Sequence, residues 1–320
     1  MNTFQRVNQH VSIVRVKQDK LLPAFLHYLL ISRDYKHRLL SVGEDNGSTR
    51  QALTKQLIQD FQIEYPPLPE QRRIVGVLNE AFEGIATAKA NAEKNLQNAR
   101  GLFVGHLHSV FMHQGKDWVE RKLKSSTTKI GSGATPRGGE QSYKTEGISL
   151  IRSLNVHDFG FKYAKLAFLD EAQANDLSNV VVQPGDVLLN ITGASVARCV
   201  VVPEDVLPAR VNQHVCIIRP ITKELNANFL HYLLISKPYK DKLLATGEEG
   251  GSTRQAITKA QLQEFTVSYP ATIAEQKAVV AKLDALATEM ERLERIYTQK
   301  VAALSELKKS LLHEAFSGKL

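Results

Sequence analysis

The sequence predicts an α+β protein in which two long antiparallel helices form a coiled-coil spacer that joins related domains. Three observations lead to this prediction. A block of about 115 residues occurs twice, which is typical of duplicated structural units. Two segments carry apolar residues at heptad spacing, as paired helices do. The remaining sequence contains short β-branched runs bounded by Gly, Pro and Asn, which are typical of strands.

Length and composition favour a two-domain protein that is not embedded in a membrane. The chain has 320 residues, of which 43% are hydrophobic and 23% are charged. No apolar run is long enough for a membrane span or is placed like a secretory signal, so we expect a cytoplasmic location. The net charge of +8 favours a polyanionic partner, although many ordinary surfaces are also basic.

The internal repeat is nearly free of gaps and includes a polar phrase, RVNQHV, at Arg6–Val11 and again at Arg210–Val215. The segments FLHYLLIS and GSTRQALTK also return 204 residues later, the second with one change. One residue is gained after Pro66, so that Glu70-Gln71 corresponds to Glu275-Gln276. Agreement of this extent excludes chance and predicts two related units.

Between the two copies lies Gly115–Asp205, which has no counterpart before Met1. We therefore expect one complete unit and one that begins midway. The predicted segments are the rear part of a first domain at 1–66, a first long helix at 67–117, a complete second domain at 118–270 and a second long helix at 271–320.

Both long helices are predicted from apolar residues spaced alternately by three and four, without an internal proline. Each helix would contain about 40 residues and span roughly 60 Å. An apolar stripe this narrow on so long a helix does not fit the core of a globular domain. We therefore expect the stripes of the two helices to pack against each other. Asn95 interrupts the first stripe and either fixes the register or is solvated. The stripes are Ile74, Leu78, Ala81, Ile85, Ala88, Ala92, Ala99 and Leu102, and Val279, Leu283, Leu286, Met290, Leu293, Tyr297, Leu304, Leu307 and Leu311.

The segment between the long helices is predicted to be an α+β domain. Strands are expected within Gly147–Val156, Asn179–Gly193, Ala197–Val202 and Gln213–Pro220. Helices are expected at Asn226–Ser236, at Pro238–Thr246 and at Lys259–Phe265, the last after a Thr258 cap.

The sequence lacks the motifs by which common catalytic sites are recognised. It contains no Asn/Asp-Pro-Pro-aromatic run, no G-x-x-x-x-G-K and no H-E-x-x-H. Cys199 and Cys216 fit neither a redox pair nor a zinc site, and we expect two buried thiols on neighbouring strands. His106, His108 and His113 are interpreted as the end of an interface helix rather than as metal ligands. We therefore expect no enzyme activity and no metal.

Polar, glycine-rich loops are the candidate functional segments. Their amides and hydroxyls can hold phosphates, and Arg, Asn and Gln can contact base edges. The alternative is that these loops are simple turns, with Asn212 and Gln213 capping strand ends. The predicted DNA-binding residues are Lys129, Ser132, Thr135, Arg137, Gln141, Tyr143, Arg152, Asn190, Thr192, Asn212, Gln213, Ser252, Thr253 and Arg254.

The residues together resemble the DNA-specificity subunit of type I restriction-modification systems. The resemblance covers nearly the whole chain and rests on the domain opened by Trp118 with its SGATP loop, the GSTRQ loop and YPPLPEQRRIV leading into a long helix. It implies target-recognition domains that each read half of a bipartite site in double-stranded DNA, with the helices measuring the spacer. It also implies a non-catalytic subunit that binds no cofactor itself. Methyltransferase subunits carrying S-adenosylmethionine, and a restriction subunit in the full complex, would be its protein partners.

This sequence departs from the family pattern at two places. The second helix entry, Ala271–Gln276, lacks the Pro-Leu-Pro of the first. The first recognition domain contains only its rear portion, so we expect a complementing N-terminal specificity fragment, or a second copy of the chain, to complete it. The alternative function is a truncated or split specificity fragment that assembles with methyltransferase or a complementing partner without specifying a full site.

Overall fold

The computed structural model describes residues 7, 8, 10–44, 53–248 and 256–319. They belong to two compact units: unit 1 comprises Met1–Ala99 and Arg292–Leu320, and unit 2 comprises Arg100–Glu291. In chain order the described helices and strands are α1 (Pro23–Ile31), α2 (Arg33–Glu44), α3 (Lys55–Asp60), α4 (Leu68–Met112), β1 (Trp118–Lys122), β2 (Thr127–Ser132), β3 (Ile148–Ile151), β4 (Ala167–Leu169), α5 (Glu171–Asp176), β5 (Val187–Asn190), β6 (Cys199–Val201), β7 (Ala209–Val211), β8 (Val215–Pro220), α6 (Ala227–Ile235), α7 (Lys237–Glu248), α8 (Lys259–Glu264), β9 (Thr266–Pro270) and α9 (Ile273–Phe316).

Unit 2 is built on a four-stranded antiparallel sheet with the strand order β2-β8-β5-β6. A three-stranded sheet, β4-β3-β7, covers one face of it, and β1 pairs with β9 in a separate ribbon. Because side chains alternate along a strand, Leu188 and Ile217 face the three-stranded sheet, whereas Leu189 and Ile218 face the helices. The central sheet is therefore buried on both faces.

Local sequence explains where the helices of unit 2 begin. The Asn226 side chain accepts a hydrogen bond from the Phe229 amide at 3.0 Å and caps α6. Thr258 and Gln261 form a reciprocal capping box at the start of α8, with bonds of 3.2 and 2.9 Å. The expected helices at 226–236, 238–246 and 259–265 are thus confirmed, with ends that differ by one or two residues.

Unit 1 contains α1, α2 and α3 together with the beginning of α4 and the end of α9. Its core is built around Phe25, Leu29 and Leu78. The aromatic rings of Phe25 and Phe316 pack edge to face, with their centroids 5.4 Å apart. The described part of unit 1 carries no named strand, whereas the corresponding segments of unit 2 form β8 and β9.

The repeat is reproduced as a shared set of hydrogen bonds. Fully buried Gln71 accepts from the Leu22 amide at 2.8 Å and donates to the carbonyl oxygens of Lys20 and Pro66 at 2.8 and 2.7 Å. Gln276 makes the three equivalent bonds in unit 2, at 2.8–2.9 Å. Each glutamine ties the loop before a short helix to the start of a long helix, where backbone groups lack helical partners.

The ends of the long helices are paired in opposite order in the two units. In unit 1, Leu78 near the start of α4 shares a core with Leu312 near the end of α9. In unit 2, Leu107 near the end of α4 shares a core with Leu283 near the start of α9. This order is that of an antiparallel pair, and the predicted α+β fold class with two long antiparallel helices is confirmed.

The exact apolar stripe differs from the expected one. Leu102, Leu286 and Leu307 are 75%, 39% and 47% exposed, so the prediction that they lie in the seam is wrong. Phe103 takes the buried position that was expected for Leu102. A helix has 3.6 residues per turn, so a strict seven-residue pattern drifts around it. Asn95 is exposed, which agrees with the solvated alternative and not with a role in the seam.

Both cysteines are buried, as expected, but they do not lie on neighbouring strands. Cys199 on β6 and Cys216 on β8 are separated by β5, and both are paired with Leu189 of that strand. Burial raises the pKa of the Cys216 thiol to about 12, and it raises the pKa of Cys199 well above its usual value.

Candidate nucleic-acid interface

Three of the predicted polar loops meet at one edge of the central sheet. β2 ends there at Ser132, which pairs with Cys216 near the start of β8. β5 ends at Asn190, which pairs with Val215, and β6 begins beside it. The loops 133–138, 191–198 and 212–214 are consequently neighbours, because antiparallel strands reverse direction at a common edge.

A continuous chain of side-chain hydrogen bonds connects these three loops. The Thr135 hydroxyl donates to Oε1 of Gln213, and Nε2 of Gln213 lies 3.0 Å from Nε2 of His214. Nδ1 of His214 lies 2.6 Å from Oγ1 of Thr192. A neutral His214 with its proton on Nδ1 satisfies every bond in this chain. Thr135 and Gln213 are exposed, so their polar groups face solvent at the edge of the sheet.

Gly133 holds the first loop against the third. Its amide donates to the Asn212 carbonyl oxygen at 3.2 Å. A Cβ atom at position 133 would lie only 1.6 Å from the carbonyl oxygen of Val211. Glycine is required because the two backbones approach too closely for any side chain.

The repeated phrase RVNQHV is mainly structural in unit 2. Arg210 is buried, and its guanidinium donates to the carbonyl oxygens of Ala174 and Ala209 at 3.0 and 3.1 Å. Burial lowers the pKa of Arg210. Asn212 is 5% exposed and accepts from the His214 amide at 3.1 Å. Gln213 is the exposed side chain of the phrase. The position of Asn212 therefore agrees with the strand-end alternative, and its contact with DNA stays a prediction.

Asn190 is also internal. It is fully buried, and its amide donates to the Ser153 carbonyl oxygen at 2.9 Å. In this arrangement Asn190 supports the loop after β3, and its Oδ1 atom is buried without a hydrogen-bond partner. A contact of Asn190 with DNA stays a prediction.

Arg152 and Tyr143 form a packed pair beside the loops. The Arg152 guanidinium lies 5.1 Å from the centre of the Tyr143 ring. It also donates to Glu140 at 2.8 Å and to the Lys165 carbonyl oxygen at 2.7 Å. These contacts shape the loop at 138–142, whereas Nε of Arg152 is buried without a hydrogen-bond partner. Contacts of Arg152 and Tyr143 with DNA stay a prediction. Gln141 and Arg137 are exposed on the same loop.

A polar cleft of about 630 Å³ runs along the edge strand β2. Lys124, Lys129 and Lys259 line it, together with Ser132 and other hydroxyl and amide side chains. Nζ of Lys129 donates to the Asn179 carbonyl oxygen, and Nζ of Lys124 lies 2.5 Å from Glu264. The cleft combines positive charge with hydroxyl donors, which is the chemistry that phosphate oxygens require.

Ser252, Thr253 and Arg254 lie outside the described residues, so their predicted role stays a prediction. On either side of the gap, the Ala256 amide donates to the Gly247 carbonyl oxygen at 3.4 Å. Ala256 also forms a bridge with Thr192, which places the end of this segment at the same edge of the sheet.

The DNA-binding residues predicted from the sequence do not include His214, Lys124 or Lys259, although His214 ends one of the candidate loops and Lys124 belongs to a basic segment. His214 could have been found, since it recurs as His10 in the repeated phrase. Lys124 and Lys259 are far apart in the sequence and become neighbours only through the contact of α8 with the segment before β2.

The architecture is therefore that of a binding protein, in which paired long helices close an α+β domain and polar loops gather at one edge of its sheet. A family described as type I restriction modification DNA specificity domain matches residues 3–97 and 115–299. The EcoBI specificity subunit of Escherichia coli is 23% identical over 340 residues, covering 98% of this chain and 69% of that protein.

Solved structures show the same fold. A chain from a structure concerned with complex assembly and conformational transition of the type I R-M system has 24% identity and a TM-score of 0.74, covering 96% of this chain and 74% of its own. The HsdS subunit from Thermoanaerobacter tengcongensis has 24% identity and a TM-score of 0.60, covering 96% and 73%.

The chain belongs to the family of type I restriction-modification DNA specificity subunits. Subunits of this family are non-catalytic. Within the described part of the chain, no helix has the length and hydrophobicity needed to cross a membrane. Among those same residues, no three His, Cys, Asp or Glu side chains are placed to hold a metal ion.

Proposed function

We propose that unit 2 reads one half of a bipartite site in double-stranded DNA on behalf of bound methyltransferase subunits. The observation that carries this proposal is the convergence of Thr135, Arg137 and Gln213 at one edge of the sheet, beside a cleft lined by lysines. Exposed amide and guanidinium groups can address base edges, and the cleft can hold the backbone. The chain itself would bind no cofactor, and S-adenosylmethionine would belong to the methyltransferase.

The test is DNA binding and adenine methylation by the complex reconstituted with its methyltransferase. Gln213→Ala and Arg137→Ala should each weaken binding to the specific site by about 5- to 150-fold, as expected for loss of a base contact. Lys129→Ala should instead weaken binding to all sequences alike and reduce the salt slope by about one. Gln183→Ala is a matched control, since Gln183 is exposed before the start of β5, at the opposite edge. If neither Gln213→Ala nor Arg137→Ala changed the affinity for the specific site, the proposal that this edge of the sheet reads DNA bases would be overturned.

Two exposed leucines at equivalent positions of the repeat support methyltransferase docking. Leu102 and Leu307 lie 205 residues apart and are 75% and 47% exposed on α4 and α9. A large apolar side chain that is retained outside both cores suits a protein interface. We expect each to contact one methyltransferase subunit, with a restriction subunit joining in the full complex.

Leu102→Asp and Leu307→Asp should each reduce co-purification of methyltransferase at least about tenfold, because a charge opposes desolvation of the interface. Both variants should keep the melting temperature of the parent chain. Leu286→Asp is the matched control, since Leu286 is exposed but its counterpart in the repeat is Ala81. Equal co-purification of all three variants would exclude these leucines from the interface.

A second candidate function is a split specificity subunit that needs a complementing partner. The specific observation is an exposed apolar run in unit 1, where Val11, Ile13 and Val14 are each more than half exposed. Size-exclusion chromatography of the purified chain with and without methyltransferase distinguishes the candidates. A chain that is monomeric alone and that directs methylation of a bipartite site in complex with methyltransferase and no other polypeptide would exclude the second one.

A further inference from the structure

Unit 1 contains an open apolar groove formed by its own residues. Its volume is about 590 Å³, and its lining comes from the segments 12–30, 39 and 53–65. The larger apolar side chains along it are those of Val14, Leu26, Leu30, Ile58, Phe61 and Tyr65. An apolar surface of this kind in a soluble protein is normally covered by another structural element.

The repeat provides an internal reference for what covers this groove. Ile218 and Tyr269 of unit 2 correspond to Val14 and Tyr65 of unit 1. Ile218 is fully buried and Tyr269 is 3% exposed, whereas Val14 and Tyr65 are 52% and 44% exposed. In unit 2 the corresponding residues share their core with Leu123 and Ile130, which come from β1, β2 and the turn between them.

The covering segment of unit 2, residues 118–132, is held by specific backbone pairing. β1 pairs with β9, and β2 pairs with β8, both in antiparallel orientation. The Leu123 amide donates to the Phe265 carbonyl oxygen at 2.9 Å. The hydroxyl groups of Ser126 and Tyr269 are 2.6 Å apart. Unit 1 has the same acceptor backbone at Phe61 and the same hydroxyl at Tyr65.

Charge also defines the covering segment. Glu264 forms ion pairs with Lys122 and Lys124 of that segment, at 2.6 and 2.5 Å. The residue that corresponds to Glu264 in unit 1 is Asp60, which is exposed. An occupant of the groove that carries Lys at the corresponding position would pair with Asp60.

We propose that the groove of unit 1 binds a strand-turn-strand segment with the character of residues 118–132 when that segment is offered as a separate polypeptide. The two strands would pair with residues 11–16 and 62–66, and a Leu and an Ile would fill the groove. This proposal deepens the second candidate function above and rests on it.

Residues 118–132 of this chain are not free to fill the groove, because they are already paired with β8 and β9 in unit 2. A second copy of the chain would need its own 118–132 for the same purpose.

The test uses the full 320-residue chain co-expressed with a tagged polypeptide made of its own residues 115–206. We expect the probe to co-purify in equal amount and to slow amide exchange at residues 11–16 by about tenfold or more. Exchange at 215–220 should not change. The matched control is a probe with Leu123→Asp and Ile130→Asp, which should not co-purify. A synthetic peptide of residues 116–134, followed by fluorescence anisotropy, replaces a probe that does not remain soluble.

A charge exchange tests the register of binding. Asp60→Lys in the full chain should weaken probe binding, and a probe with Lys122→Glu and Lys124→Glu should restore it. The proposal would be overturned if neither the 115–206 polypeptide nor the 116–134 peptide bound. It would also be overturned if the Leu123→Asp and Ile130→Asp substitutions left binding unchanged. A dimer of the chain alone with residues 11–16 already protected would overturn it too, because a second copy would then be the occupant. Methylation of a DNA site is not a readout here, so failure of the site-reading proposal would leave this result unaffected.

Discussion

Oε1 of Gln276 accepts a hydrogen bond from the backbone amide of Asn226 at 2.8 Å, although the two residues are 50 positions apart. The same side chain donates to the carbonyl oxygens of Glu224 and Pro270. One buried amide thus joins the start of α6, the end of β9 and the start of α9. Its counterpart Gln71 does the same in unit 1, so this junction belongs to the common frame of the repeat.

Gln276→Ala should destabilise unit 2 by about 3 kcal/mol, because one buried and two partly buried backbone groups lose their partner. Urea unfolding followed by circular dichroism measures the change. Gln299→Ala, on the exposed part of α9, is the control and should change stability by less than about 0.5 kcal/mol. If Gln276→Ala and Gln299→Ala were equally stable, water would be replacing the three hydrogen bonds of the Gln276 side chain with no loss of folding free energy.

Leu283→Asp should destabilise the protein by more than about 4 kcal/mol, since it places a charge in a fully buried position of the helix pair. Leu286→Asp, three residues further on, should have little effect, because Leu286 is 39% exposed. Thermal melts of both variants measure the difference. Similar melting temperatures would contradict the observed seam.

The contribution of Glu264 to the stability of unit 2 should depend on pH and should be lost in acid. Hydrogen bonds from Lys122 and Lys124 lower the pKa of this carboxyl to about 2. Because the folded-state pKa is depressed, the contribution is fully present above about pH 4.5 and is lost as the pH falls towards 2. The melting temperatures of the parent chain and of Glu264→Gln should therefore differ at pH 6 and converge near pH 2. The difference should also shrink at high salt, since all three side chains are about half exposed. A constant difference over this pH range would exclude the carboxylate as its cause.

Both thiols should be unreactive in the folded protein. Burial keeps Cys199 and Cys216 protonated well above the pH at which a free thiol ionises, and only the thiolate is nucleophilic. Titration with an aromatic disulfide at pH 8 should give no rapid reaction in buffer and two equivalents in denaturant. One rapid equivalent in buffer would show that a strand of the central sheet opens locally.

The sequence could predict the repeated units and the two long helices, because the internal repeat and the apolar periodicity both reflect backbone geometry. The capped starts of α6 and α8 follow from Asn226 and Thr258 alone. The direction in which a loop side chain points is not encoded in this way. Asn190 and Gln213 have similar amides in similar polar loops, yet Asn190 is buried and Gln213 is exposed. That difference depends on strand register and on the packing of the second sheet, which no local pattern contains.

The close approach at Gly133 restricts how this surface can diversify. A methyl group at that position would collide with the backbone of Val211, so this arrangement of the loops requires glycine where the first loop starts. Thr135 and Arg137 on the same loop are exposed, so other side chains can take their places at the surface. We expect relatives that bind different ligands to differ in the exposed residues of this loop and to keep glycine at the position of Gly133.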